Sequence, residues 1–392
     1  MSLTGRLLNL RALISAASVT LLVACGGESG PERVVNPPEC ALAPLPTAAS
    51  APSAAIVPAA SPFDSIFVAA GSEAGVPAAV LRAIGYVETR WQMVDGHEEF
   101  DGVPAAHGVM ALRGERLRTG AYRAGLDERD VRRDPGANIR AAAALLRAFA
   151  DSLDIDAGDE IDAWKPVVDA YSGIGLAAAR ASFVADVFSV IAGRRSAPAT
   201  AAASPADGPL SICAPLTDQA GATWRASPNF NQRQAGVGGQ VHIVIIHSCE
   251  GSYAGCWSWL ANVESQVSAH YVVREDGAEI TQLVREASRA WHIGATYDST
   301  LNAGHDGRLH GVQSNHFTIG IEHGGYASQL SWPVAQIDAS ARLVCDIAKR
   351  WNIPRDRLHI VSHGQLQPWN RTDPGANWPW EDYMARINRY CA

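Results

Sequence analysis

Among seven cysteines the chain has no CxxC pair; it has no surplus of basic residues and no apolar run long enough to cross a bilayer comfortably. Each absence removes a class of function. Without CxxC pairs, a cysteine-held zinc site has no framework. With 32 Lys and Arg against 40 Asp and Glu the formal charge is −8, which gives no general case for a nucleic-acid partner. The apolar stretch near the N-terminus, from Ala12 to Leu22, is too short for a membrane-spanning helix.

That stretch reads instead as an export signal. Arg6 and Arg11 supply a charged start, the apolar core follows, and Leu22-Val23-Ala24-Cys25 ends it in small residues. Leu-Val-Ala-Cys resembles a bacterial lipobox, which implies cleavage before Cys25 and a lipid on its thiol. Residues 1–24 are therefore expected to be a lipoprotein signal peptide, and Cys25 the membrane anchor of an otherwise monomeric protein. Gly26 lacks the aspartate that retains some lipoproteins at the inner membrane. The expected location is the periplasmic face of the outer membrane in a Gram-negative cell, and the cell surface otherwise.

At 392 residues the chain is long enough for two domains. Two Pro-, Ala- and Ser-rich stretches divide it: residues 25–61, expected to be a tether, and residues 196–212, expected to be a linker. Residues 62–195 carry alanine-rich helical patterns. One follows Asp134-Pro135, a signal for a helix start. Residues 213–392 alternate short apolar strands with helical segments.

Three residues in that second part stand at the ends of apolar runs or in the loop beyond: His247 in VHIVIIHSCEG, His363 in RLHIVSHGQ, and Asp373 in NRTDPGAN. Val241 to Ile246 is a nearly continuous branched apolar run, the pattern of a strand buried on both faces. A histidine at the end of such a strand points into the crevice where open α/β sheets hold ligands. Two imidazoles and one carboxylate are ligands that Zn²⁺ accepts, with a fourth position left for water. Spacing alone leaves Asp373 open to a second reading, a turn aspartate capping its own backbone. Between these, Phe317 to Glu322 alternates, so that Thr318, Gly320 and Glu322 share one face. Gly320 leaves room on that face for something to approach.

The segment from about Gly238 to Tyr390 resembles the zinc-dependent N-acetylmuramoyl-L-alanine amidases, the group that includes peptidoglycan recognition proteins. The resemblance rests on VIIHS, SAHYVVREDGAEITQLV, AWHIG, TIGIEHGG, SHGQ and RTDPG in the family's order. It implies a mixed central sheet flanked by helices, Zn²⁺ held by His247, His363 and Asp373, and a catalytic glutamate at Glu322. It implies hydrolysis of the amide between N-acetylmuramic acid and the L-alanine of the peptidoglycan stem peptide. Many relatives have a lysine where this chain has Arg371, which is assigned to oxyanion stabilisation because a guanidinium does not give up its proton. Some members use a tyrosine where this chain has Ala269. The resemblance puts His270 and His292 along the substrate groove, outside the metal shell. It also implies a Cys249–Cys256 bridge. Cys345, on an apparent amphipathic helix from about Pro333 to Trp351, could then reach Cys391, and Cys40 could pair with Cys213.

The first part resembles lysozyme-like lytic transglycosylases through AIGYVETRW, HGVMAL, DPGANIRAAAALL and VDAYSGI. Glu88 is the aligned catalytic acid. The chain departs from that family at Thr89, Ala111 and Ser172, so an active glycan-cleaving region and a glycan-binding one both stay open. The whole is expected to be multidomain, an all-α lysozyme-like domain before an α/β amidase domain. A non-catalytic peptidoglycan-binding lipoprotein is the alternative reading.

Overall fold

The structure, a computed structural model, describes residues 60–100, 102–193 and 217–392. The signal segment, Cys25, nearly all of the tether, the 196–212 linker and the Cys40–Cys213 pairing lie outside the described residues. Among the described residues, seven α-helices make up the first part: α1 (Asp64–Ala74), α2 (Ala78–Thr89), α3 (Gly114–Ala124), α4 (Glu128–Arg133), α5 (Pro135–Ser152), α6 (Lys165–Ser172) and α7 (Ala177–Ile191). The start of α5 follows from its sequence. Pro135 suits the first turn, and the Asp134 carboxylate accepts the Ala137 N–H at 2.7 Å. Leu81, Ile84, Leu146, Trp164, Val167 and Phe183 fill the core between the helices. This part is not wholly helical. A two-stranded ladder, β1 (Ala106–His107) with β2 (Leu112–Arg113), forms where HGVMAL turns, and an irregular segment joins it to α2.

The second part is a six-stranded mixed sheet flanked by helices. Its elements are β3 (Thr223–Trp224), β4 (Phe230–Gln232), β5 (Ile243–Ile246), α8 (Tyr253–Leu260), β6 (Tyr271–Val273), β7 (Ile280–Gln282), β8 (Ser288–Ala290), β9 (Thr318–His323), α9 (Val334–Trp351), β10 (Ile360–Ser362), α10 (His363–Leu366) and α11 (Trp380–Cys391). The strand order is β10-β5-β9-β6-β7-β3, parallel from β10 through β6, while β4 pairs separately with β8. The segment from Tyr271 to Gln282 forms a hairpin, antiparallel β6 and β7.

Strand alternation divides the core. Val244, Ile246, Ile319 and Ile321 face α9 and α11, against Leu343, Val344, Ile347 and Ile387. Ile243, Ile245 and Val361 face the other way, against Ile293, Tyr297 and Phe317. The Cys345–Cys391 bridge ties α9 to α11, and Cys249–Cys256 ties the end of β5 to α8, as expected for both.

The helical and α/β parts share one compact unit. Ala254 of α8 joins the helical core, and Phe100 joins the cluster around Trp257 and Leu260. Arg274 pairs with Asp186 at 2.5 Å, and Arg113 Nη2 donates to the Glu250 carbonyl at 2.8 Å.

Candidate metal centre and active site

Register decides the site. Ile246 stands opposite Ser362 on one side and Ile321 on the other. The next residue on each strand is His247, His363 or Glu322, so the three lie level across adjacent parallel strands about 4.8 Å apart. The crevice outside the carboxyl ends of parallel strands is where such sheets hold ligands. Asp373 comes from the loop after α10, where the Asp373 carbonyl accepts the Gly364 N–H at 3.0 Å. Gly375 permits that loop: its φ is +91°, and a Cβ there would lie 1.9 Å from the Ala327 carbonyl oxygen.

His247 Nδ1 and His363 Nδ1 are 3.0 Å apart, and each is 3.2 Å from Asp373 Oδ2. The partners of the outer nitrogens define the tautomers. Thr318 Oγ1 donates to the Ser314 carbonyl and so accepts from His292 Nε2 at 3.0 Å. His292 Nδ1 then accepts from His247 Nε2 at 3.0 Å, and His363 Nε2 faces Gln367 Oε1 at 3.3 Å. Both inner Nδ1 atoms are left with lone pairs aimed at one another and at a carboxylate. Either a proton on His363 Nδ1 or a bound metal cation satisfies such a trio, and these donor types at these separations suit a metal. Tetrahedral ligands at about 2.0–2.1 Å from Zn²⁺ sit roughly 3.3 Å from one another, close to the separations seen here.

Without a metal, the site holds its charge as an ion pair. Burial works against charge on His363, yet the neighbouring Asp373 and Glu99 carboxylates outweigh it and push its pKa up to about 10. Asp373, fully buried, is held well below the usual carboxylate range by the His363 charge in spite of that burial. Asp373 Oδ1 and Glu322 Oε2 are buried without a protein hydrogen-bond partner. Burial first, then the nearby Glu99 and Asp373 charges, raises the Glu322 carboxyl well above its ordinary value.

A profile of the family described as N-acetylmuramoyl-L-alanine amidase matches residues 237–376. N-acetylmuramoyl-L-alanine amidase A of Achromobacter lyticus is 37% identical over 185 residues, which are 43% of this chain and 93% of that protein. The chain belongs to the N-acetylmuramoyl-L-alanine amidase family. It is an enzyme of that class, acting on peptidoglycan. The 1,6-anhydro-N-acetylmuramyl-L-alanine amidase AmpD of Citrobacter freundii is 32% identical over 122 residues, 31% of this chain and 58% of that relative. Among solved structures, an AmpD selenomethionine derivative is 24% identical with a TM-score of 0.34, covering 45% of this chain and 99% of that one. AmiD from E. coli, in complex with anhydro-N-acetylmuramic acid-L-Ala-D-gamma-Glu-L-Lys, is 23% identical with a TM-score of 0.32, covering 40% and 65%.

In the amidase, His292 is buried beside His247 and takes the space over Gly320. His270 is placed differently. It is fully buried, its Nδ1 accepts the Gly320 N–H at 3.1 Å, and its Nε2 lies 3.1 Å from the Ser288 carbonyl. Its ring ties β6 to β9 and β8. Arg371 lies at the rim of a cleft of 320 Å³ that His292, His363 and Trp291 also line.

Several contributors were not singled out in the sequence. His323 Nδ1 donates to the His247 carbonyl at 2.9 Å, and its Nε2 accepts from Ser340, which in turn bonds Tyr383 at 2.7 Å. That relay anchors the His247 backbone to α9 and α11. Glu250 accepts from Ser248 and from the Ala327 N–H, and burial, opposed by the His97 charge, pushes its carboxyl up to about 7. Glu99, from the irregular segment after α2, reaches the metal site itself: one oxygen lies 3.3 Å from His363 Nδ1. Nothing in its local pattern signals this.

Glu88 sits apart, on α2, in a second cavity of 410 Å³. Arg113, Arg116 and Tyr171 line one side, and residues of the 249–262 segment roof the other. Burial, opposed by Arg113, pushes the Glu88 carboxyl up to about 7. Thr89 Oγ1 donates to the Val109 carbonyl at 2.7 Å, and the Met110 N–H donates to Asn138 Oδ1 at 2.8 Å. The first bond holds the HGVMAL turn against the helix that carries Glu88, and the second holds it against α5.

Proposed function

We propose that the chain is a zinc-dependent hydrolase of the amide bond between the lactyl group of N-acetylmuramic acid and L-alanine, exported as a lipoprotein anchored through Cys25. His247 Nδ1, His363 Nδ1 and an Asp373 oxygen hold the metal. The observation that carries this reading is their convergence at 3.0–3.2 Å with both outer ring nitrogens already committed to other partners. Bound there, Zn²⁺ supplies a Lewis acid and an acidified water.

The rest falls to side chains. Glu322, level with His247 on the adjoining strand, accepts a proton from the attacking water and returns it to the leaving alanine nitrogen. Arg371 contributes a fixed positive charge to the oxyanion. His292 and Gln367 orient the two ligand imidazoles.

The helical part binds glycan at the Glu88 cavity. Its volume lies in the range of small-molecule sites, roughly 300–1,000 Å³. Glycan cleavage is a second reading, favoured by one observation: a carboxyl pushed up to about 7 still holds a proton for a glycosidic oxygen near neutral pH.

The test is zinc content of the purified chain and release of stem peptides from purified sacculi, with and without chelator, for wild type and His363→Ala. A metal-free wild type, or peptide release that chelator leaves untouched, sinks the zinc reading. Anhydromuramyl products that survive Glu322→Ala and vanish in Glu88→Gln would establish the second activity.

A further inference from the structure

Three protein ligands and an open position mark a catalytic zinc site, whereas four protein ligands close it. Among the described residues, four donors converge here: Glu99, His247, His363 and Asp373 offer ligand atoms all within 4.8 Å of one another. Glu99 is buried at 5% exposure. Its Oε1 stands 3.3 Å from His363 Nδ1, the ligand-to-ligand separation of a tetrahedral shell. The same oxygen is 3.3 Å from Arg371 Nε, and the Glu99 carbonyl accepts from Arg371 Nη2 at 3.0 Å. One residue therefore stands in the place of the attacking water and also holds the cation assigned to the oxyanion.

The segment that presents Glu99 is seated in the α/β part at several points. The Gln92 amide oxygen accepts the Leu330 N–H at 2.8 Å and the Ser331 N–H at 3.2 Å. The Asp95 N–H donates to Ser328 Oγ at 3.0 Å. His97 bridges carboxylates, its Nε2 3.1 Å from Glu99 and its Nδ1 3.4 Å from Glu250. Val94 packs in the cluster with Tyr326, and Phe100 lines both the metal cleft and the Glu88 cavity. Apart from Val94 and Phe100 these contacts are polar, and a segment held by two apolar anchors can leave its seat without unfolding its neighbours.

We infer that Glu99 is a fourth, displaceable metal ligand supplied by the helical part, and that the amidase folds in a latent state which opens when the segment around Glu99 withdraws. The inference rests on the zinc reading above. Latency here is a competition within one chain: a carboxylate held at the metal excludes the water and the scissile carbonyl, and frees Arg371 only on leaving.

The test uses the full-length chain loaded with Co²⁺ alone, wild type against Glu99→Gln, and titrates the visible spectrum with azide, which needs an open coordination position. Stem-peptide release from sacculi is measured on the zinc-loaded proteins. Removing a carboxylate ligand is expected to lower the azide concentration at half-response, and to speed both metal loss to chelator and peptide release, each about tenfold. Glu99→Asp, which keeps the charge on a shorter arm, is expected to fall between the two and serves if the Gln variant does not fold. Equal azide responses overturn the inference, and so does a variant that binds metal yet releases peptide more slowly. Failure of every form to take up Co²⁺ or Zn²⁺ overturns the zinc reading instead, and this inference with it.

Discussion

His292 Nδ1 lies 3.0 Å from His247 Nε2, and its own Nε2 is 3.0 Å from Thr318 Oγ1, so a threonine hydroxyl two bonds away from the metal site determines which nitrogen of His247 faces it. Thr318→Val keeps the shape and removes the acceptor. The zinc dissociation constant is expected to rise about 10- to 100-fold, the usual cost of losing a partner behind a ligand. Competition with a chromogenic chelator measures it; an unchanged constant would show that the hydroxyl does not orient the ring.

Gly320 makes that contact possible. A Cβ there would stand 2.4 Å from His292 Cγ and 2.5 Å from its Nδ1, inside any van der Waals limit. Gly320→Ala is expected to lose about 1–3 kcal/mol of stability by overpacking, and to weaken zinc as well. Because both changes act through one ring, Gly320→Ala and Thr318→Val should be less than additive on zinc affinity. Additive losses in the double variant would separate them.

Glu322 is expected to matter for turnover and little for metal. Glu322→Gln should retain stoichiometric zinc and lose about 10²- to 10⁴-fold in peptide release, the range of general acid–base contributions. Metal loss in parallel with activity would recast Glu322 as part of the ligand set.

Glu88 carries a pH signature. Its carboxyl titrates near 7 in the folded chain against an ordinary value of 4.5. Between those values the folded state binds more protons than the unfolded one, so this group's contribution to stability is whole below about 4.5 and is lost as pH rises through 7. Glu88→Gln should flatten that decline, gaining most over wild type at pH 8. Denaturant midpoints at pH 4.5, 6 and 8 provide the comparison, and parallel curves for the two proteins would refute it.

The Cys345–Cys391 bridge spans 46 residues and closes α9 onto α11. Constraint of the unfolded chain over such a loop corresponds to about 4 kcal/mol. The Cys345→Ser, Cys391→Ser pair should unfold earlier in denaturant while keeping zinc, since neither cysteine touches the site. Equal midpoints would place the bridge's role outside stability.

Much of the α/β part was legible because its signals are local. The branched run before His247, the alternation through Thr318, Gly320 and Glu322, and the turn between β6 and β7 each carry a period of their own sequence. The strand before His363 is short, Ile360 to Ser362, and lies within the apolar run of RLHIVSHGQ. The Gly320 vacancy was legible as well, though its occupant was not. His292 fills it from a loop whose path no periodicity describes.

Residue types and their order determined that His247, His363 and Glu322 end up near strand termini, since a buried strand reads as branched apolar residues whatever it pairs with. Tertiary structure alone decided that Ile246, Ser362 and Ile321 are level, because register is a relation between strands and is written in none of them. It also decided that Glu99, on a segment without a pattern, closes the site. That placement depends on how the helical part seats against the sheet, through Phe100 and Ala254 among apolar neighbours and through pairs such as Arg274 with Asp186. Those contacts depend on shape and charge across an interface, for which a linear sequence has no period.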